Sequence, residues 1–106
     1  MSVQDKIREQ VTSHPVVLYM KGSPQLPQCG FSATATQLLK MSGAEGFYSV
    51  DVLQNPDIRE GIKQFANWPT IPQLYVNGEF VGGSDIMKEM YQSGELQKLI
   101  AAAAKP

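Results

Sequence analysis

Residues 73–83 read Gln-Leu-Tyr-Val-Asn-Gly-Glu-Phe-Val-Gly-Gly. Asn77-Gly78 suits a two-residue turn with positive φ at both central positions, so Gln73 to Val76 and Glu79 to Val81 are predicted as two short antiparallel strands. Working outward, Val16 to Met20 is short, β-rich and continuously apolar, the mark of a strand buried on both faces. Phe47 to Leu53 alternates apolar residues with Ser49 and Asp51 and predicts another strand.

Helical patterns fill the intervals. Val3, Ile7 and Val11 recur at helical spacing and end near His14-Pro15, where proline stops a helix. Gly22 to Gln28 is a loop with two prolines. Phe31 to Met41 follows as a helix with Ala33, Ala35, Leu38 and Leu39 on its apolar stripe, closed by Gly43. Asn55 as N-cap and Pro56 at the first helical position open a helix to about Ala66. After Gly82-Gly83, Ser84 or Asp85 caps a helix through about Gln92, and Ser93-Gly94 separates it from a last helix, Glu95 to Ala104. The order α-β-α-β-α-β-β-α-α, a βαβ unit followed by a hairpin, predicts an α/β fold. It resembles the thioredoxin-like arrangement: a four-stranded mixed sheet with helices on both faces.

The 106 residues predict one domain spanning 1–106. Lys+Arg 9 against Asp+Glu 10 leaves a formal charge of −1, which argues against general nucleic-acid binding because phosphate contacts need a basic surplus. The apolar run Val16 to Met20 is far too short to span a bilayer, so no membrane association is expected. The polar stretch Ser2 to Gln10 lacks the pattern of a secretory signal, so a reducing cytoplasm is the expected location. One cysteine, Cys29, excludes an internal disulfide and any multi-thiolate metal site on one chain.

Cys29 stands where a proline-bearing loop enters a helix, and unpaired N–H groups there favour the reactive thiolate. Lys21 ends the first strand eight residues earlier, close enough to add positive charge. Three residues beyond the cysteine is Ser32, where a Cys-x-x-Cys dithiol would hold its resolving thiol. Gly30 removes bulk beside the sulfur, and Phe31 and Tyr19 are expected in packing, with Phe31 also able to shield the thiol. In Trp68-Pro69-Thr70-Ile71-Pro72, the Ile71-Pro72 bond is a candidate cis peptide, which would offer the Ile71 backbone to an extended peptide. Gly82-Gly83-Ser84-Asp85 can admit a ligand backbone and present a helix start to a carboxylate. Arg59 and Lys63 share a helix face at i and i+4, and His14 reads as structural.

Together these motifs, Lys21, Cys29-Gly30-Phe31-Ser32, Trp68-Pro69-Thr70-Ile71-Pro72 and Gly82-Gly83-Ser84-Asp85, resemble the monothiol glutaredoxins of the CGFS type, notably bacterial single-domain members. The resemblance implies glutathione as ligand. It places Lys21 and Arg59 at the glycine carboxylate with Lys63 as a weaker candidate, Ile71 along the cysteinyl unit, Ser84 with Asp85 at the γ-glutamyl end, and Thr70 among the binding residues. It further implies a [2Fe–2S] cluster bridging a homodimer, with Cys29 of each chain and two glutathione thiolates as the four ligands. Cluster transfer to apo iron–sulfur proteins, a role in iron homeostasis and a heterodimer with a BolA-type protein are also implied. Position 84 is often cysteine in this family and here is Ser84, which removes a second thiol without touching the cluster ligands.

One rival function remains open and a second is disfavoured. The same Cys29 can serve a glutathione-dependent thiol–disulfide oxidoreductase that removes glutathione from mixed disulfides, against which the bulky Pro24 to Gln28 loop argues. A single-cysteine oxyanion enzyme of the arsenate-reductase kind needs an arginine cluster, and the chain has only Arg8 and Arg59.

Overall fold

The computed structural model describes residues 1–103. Its elements are α1 (Val3–Ser13), β1 (Val16–Met20), α2 (Gly30–Met41), β2 (Tyr48–Asp51), α3 (Pro56–Phe65), β3 (Gln73–Val76), β4 (Glu79–Gly82), α4 (Ser84–Ser93) and α5 (Glu95–Ala103). The expected end of the last helix at Ala104 lies outside the described residues. The strands form one sheet in the order β2-β1-β3-β4, with β2 parallel to β1 and both other pairings antiparallel. Asn77 and Gly78 have φ of 51° and 82°, as the hairpin turn requires.

Strand alternation distributes the core. Leu18, Met20, Leu74 and Val76 face α2, α4 and α5, packing with Leu39, Met87, Leu96 and Ile100. Val17, Tyr19 and Tyr75 face the other way, against Ile7 and Val11 of α1 and Ile58 and Ile62 of α3. All of β1 is buried, as its unbroken apolar run predicts for a central strand between two helical layers. Helices cover both faces, so the arrangement is the thioredoxin-like one.

Three local details differ from expectation. β2 is shorter than Phe47 to Leu53. Val52 still donates its N–H to Met20 O at 2.9 Å, but the Asp51 carboxylate takes the Leu53 N–H at 2.9 Å and turns the chain. Asn55 is the N-cap of α3 but makes no cap hydrogen bond, because its Nδ2 donates instead to Asp51 O at 2.9 Å. The N-cap of α4 is Gly83, and Ser84 is already the first helical residue. His14 stacks flat on Tyr48, ring centroids 3.9 Å apart, in keeping with a structural role.

β4 and α4 meet at a close approach. Gly82 has φ +155°, and a Cβ there would lie 2.7 Å from the Ile86 Cβ, an atom fixed to the α4 backbone. Gly82→Ala is expected to destabilise the fold by about 1–3 kcal/mol through overpacking. Urea unfolding measures this, and a midpoint equal to that of the unaltered protein would contradict the close approach.

Candidate functional site

Cys29 is the N-cap of α2, in extended backbone, and is half-buried. Its Sγ accepts the Ser32 N–H at 3.3 Å, filling the position usually held by a serine or aspartate oxygen. The Ser32 hydroxyl lies 3.3 Å from the same sulfur and in turn accepts the Lys21 N–H at 3.0 Å. That N–H uses a lone pair of the hydroxyl, which leaves the hydroxyl proton available to the sulfur. Burial pushes the Cys29 thiol up, but the Ser32 hydroxyl, the backbone N–H groups of Ser32 and Phe31, and the Lys21 charge together outweigh it. The net pKa is below the ordinary thiol value.

The loop before the thiol is tied down at several points. Ser23 and Leu26 exchange backbone hydrogen bonds at 3.2 and 3.1 Å, and Gln28 donates to Lys21 O at 2.8 Å. The Asp51 carboxylate accepts the Gly22 N–H at 3.0 Å, so β2 anchors the start of the loop. Gly22, at φ +87°, is required here because a Cβ would sit 2.5 Å from Leu26 O. Gly30 differs: a Cβ there would meet nothing within 4 Å. Nothing in the fold asks for glycine beside the sulfur, and its small size leaves that side of the thiol open.

A cleft of about 390 Å³ adjoins this corner. Lys21 from the end of β1 and Arg59 and Lys63 from α3 bring three cations to its wall. Thr70 and Ile71 from the loop before β3, and Ser84 and Asp85 from the start of α4, complete the set named from sequence. All seven residues that the sequence assigns to ligand binding therefore line one cleft. Cys29 is not among its described lining residues, but its neighbours Lys21 and Phe31 are. Lys63 Nζ stands 3.8 Å from the Glu60 carboxylate, which answers part of its charge.

The Ile71-Pro72 peptide is cis. Among the described residues, neither the N–H nor the C=O of Ile71 has a backbone partner, although the residue itself is buried. The two glycines of the Gly82-Gly83 pair have different duties. Gly82 is needed for packing against Ile86, whereas a Cβ on Gly83 would approach Pro72 O at 3.3 Å and Trp68 Nε1 at 3.6 Å in the cleft wall. Phe31 is 65% exposed, so it is not a core residue as expected: at the N-terminal end of α2 it stands in the wall of the open cleft, while its neighbour Ser32 is the residue turned inward. Tyr19 is fully buried, and burial raises its pKa far above the ordinary phenol value. Trp68 and Ile86 also line the cleft, and the sequence reading did not assign them ligand roles; a tryptophan beside two prolines was the available signal.

Among the described residues no group of three or more His, Cys, Asp or Glu is placed to hold a metal ion, and no helix is long and apolar enough to cross a membrane. A glutaredoxin family model matches residues 16–81. The chain is 60% identical over 100 residues to Glutaredoxin 4 of Escherichia coli (strain K12), covering 94% of this chain and 86% of that one. It is 55% identical over 98 residues to a monothiol glutaredoxin, ycf64-like, of Synechocystis, covering 92% and 91%. Among solved structures, reduced poplar apo GrxS14 superposes with a TM-score of 0.82 at 50% identity, covering 95% of this chain and 92% of that one. With one thiol at the head of α2 and matches of this length, the chain belongs to the glutaredoxin family and is similar to its monothiol, Glutaredoxin 4-like members.

Proposed function

We propose that the chain, acting as one domain, binds glutathione and carries a [2Fe–2S] cluster between two copies of itself. The observation that carries the reading is a lone thiol of lowered pKa beside a cleft walled by Lys21, Arg59 and Lys63 together with Asp85. Glutathione has two carboxylates and one ammonium, and this set offers cations for the former and a carboxylate for the latter. Lys21 and Arg59 would take the glycine carboxylate, with Lys63, shared with Glu60, contributing less. The unpaired backbone groups of Ile71 suit the cysteinyl unit, with Thr70 beside it, and Ser84 and Asp85 suit the γ-glutamyl end.

The donor set fits a shared cluster. Cys29 of each chain would supply two of four sulfur ligands across a homodimer, and two glutathione thiolates would supply the others. When bound, the group would supply one-electron chemistry and, with half its ligands exchangeable small molecules, could be handed on. Within this chain, Ser32 and the α2 N-terminus favour the Cys29 thiolate, Gly30 leaves approach to the sulfur open, and Lys21 offsets accumulated negative charge. Apo iron–sulfur proteins as recipients, a BolA-type protein as alternative partner, a role in iron homeostasis and a reducing cytoplasmic location accompany this reading.

The lowered thiol pKa favours one further activity, glutathione-dependent reduction of mixed disulfides. There Cys29 thiolate attacks the glutathione sulfur and the protein thiolate leaves. Because Ser32 cannot resolve the resulting disulfide, a second glutathione must do so.

The rate of Cys29 alkylation against pH should rise through a midpoint below that of a free cysteine. Ser32→Ala should move that midpoint up, since the thiolate loses a donor; equal midpoints would remove Ser32 from this role. Arg59→Glu should weaken glutathione binding by about tenfold in calorimetry, and unchanged affinity would displace the carboxylate from α3. Anaerobic reconstitution with iron and sulfide should yield a coloured dimer only when glutathione is present, and Cys29→Ser should abolish it. A colourless monomer in both conditions would defeat the carrier reading and leave the reductase.

A further inference from the structure

We infer that Gln73 is the positioning residue of the cleft: its buried side chain holds the Trp68–Thr70 wall against which the ligand lies. Gln73 is fully buried on β3 and touches no solvent. Its Nε2 donates to Trp68 O at 3.1 Å and to Thr70 O at 3.2 Å, and its Oε1 accepts the Tyr75 hydroxyl at 3.0 Å. The orientation of the amide follows from chemistry. Carbonyl oxygens only accept, so the NH₂ end must face the loop and the oxygen must face Tyr75. Among the described residues no backbone N–H reaches either carbonyl, so this one side chain supplies the donors that a strand or helix would otherwise provide.

Trp68 is held at its other end too. Its ring lies 5.4 Å from the Phe80 ring, and Phe80 lies 5.4 Å from Tyr75. The contacts close on themselves: Trp68 ring to Phe80, Phe80 to Tyr75, Tyr75 hydroxyl to Gln73, and Gln73 amide back to the Trp68 carbonyl. A loop with no regular hydrogen-bond ladder is thereby set in place from the core side. Trp68 and Thr70 line the cleft, whereas Gln73 and Tyr75 do not, so the latter pair acts on the ligand only through the loop. Position 73 needs an amide for this. Methionine has the length but no donor, and a carboxylate cannot donate to two carbonyls.

The inference rests on the glutathione reading, and the test separates the two. Trp68 is the chain's one tryptophan, so its emission reports the loop without any ligand. For Gln73→Met, we expect a cooperative melt, shifted Trp68 emission and glutathione affinity weakened about tenfold, with the pH midpoint of Cys29 alkylation unchanged. General disturbance of the fold would move that midpoint as well, and its movement would overturn the assignment. Wild-type emission and affinity in a folded Gln73→Met protein would overturn it equally. Should that variant not fold, Tyr75→Phe decides: an emission shift with affinity lowered about threefold supports the role, and no change in either refutes it. If the unaltered protein binds no glutathione, the functional reading fails, while an emission shift in Gln73→Met still supports, and its absence still overturns, the positioning of Trp68.

Discussion

The sulfur of Cys29 accepting the Ser32 N–H, one of the free N–H groups in the first turn of α2, is the contact on which the rest of the site depends. A helix start needs an acceptor, and here the acceptor is the reactive atom itself. The same N–H groups that α2 must satisfy for folding are therefore those that stabilise the thiolate. Ser32 extends the arrangement by joining the sulfur to the Lys21 backbone, so the end of β1 and the start of α2 form one electrostatic unit. Burial opposes the thiolate, and it loses because four separate groups favour it from close range.

Around that corner the sheet does the work of assembly. β1 and β3 are adjacent, and the segments leaving them, Lys21 from one and Thr70-Ile71-Pro72 entering the other, come to the same cleft. α3 and α4 lie on opposite faces of the sheet, yet Arg59 and Lys63 from one and Ser84 and Asp85 from the other reach that cleft as well. The cleft is thus walled by residues of both signs drawn from the sheet and from helices on both of its faces. The glycines serve this unevenly. Gly22 and Gly82 are demanded by the fold, Gly83 is favoured by the close approach of the Pro72 carbonyl, and Gly30 is required by neither, which leaves access to the sulfur as its use.

Much of this was legible from residue order. The Asn77-Gly78 turn, the uninterrupted run Val16 to Met20 and the Asn55-Pro56 start identify elements because each is governed by neighbours a few residues away. Asp51 shows where such reading stops. Its alternating neighbours predict a strand to Leu53, but its carboxylate is better used on the N–H groups of Leu53 and Gly22, the second of them distant in sequence. Asn55 likewise leaves its cap duty for the Asp51 carbonyl. Phe31 misled for another reason: aromatic residues are usually inside, and its exposure follows from its place in the wall of the open cleft.

By itself the sequence determined the order and type of the elements, the identity of the single thiol and the motifs that carry the family resemblance. These follow from local periodicity, from composition and from spaced motifs. Tertiary structure alone decided that the seven assigned ligand residues share one cleft, that Cys29 adjoins it through Lys21 and Phe31, and that Gln73 ties its wall to the core. The physical reason is that a side chain's hydrogen-bond partners are chosen by distance in space. Gln73 in the sequence is merely the first residue of a strand, and its three bonds exist only because β3 turns it inward beneath the loop.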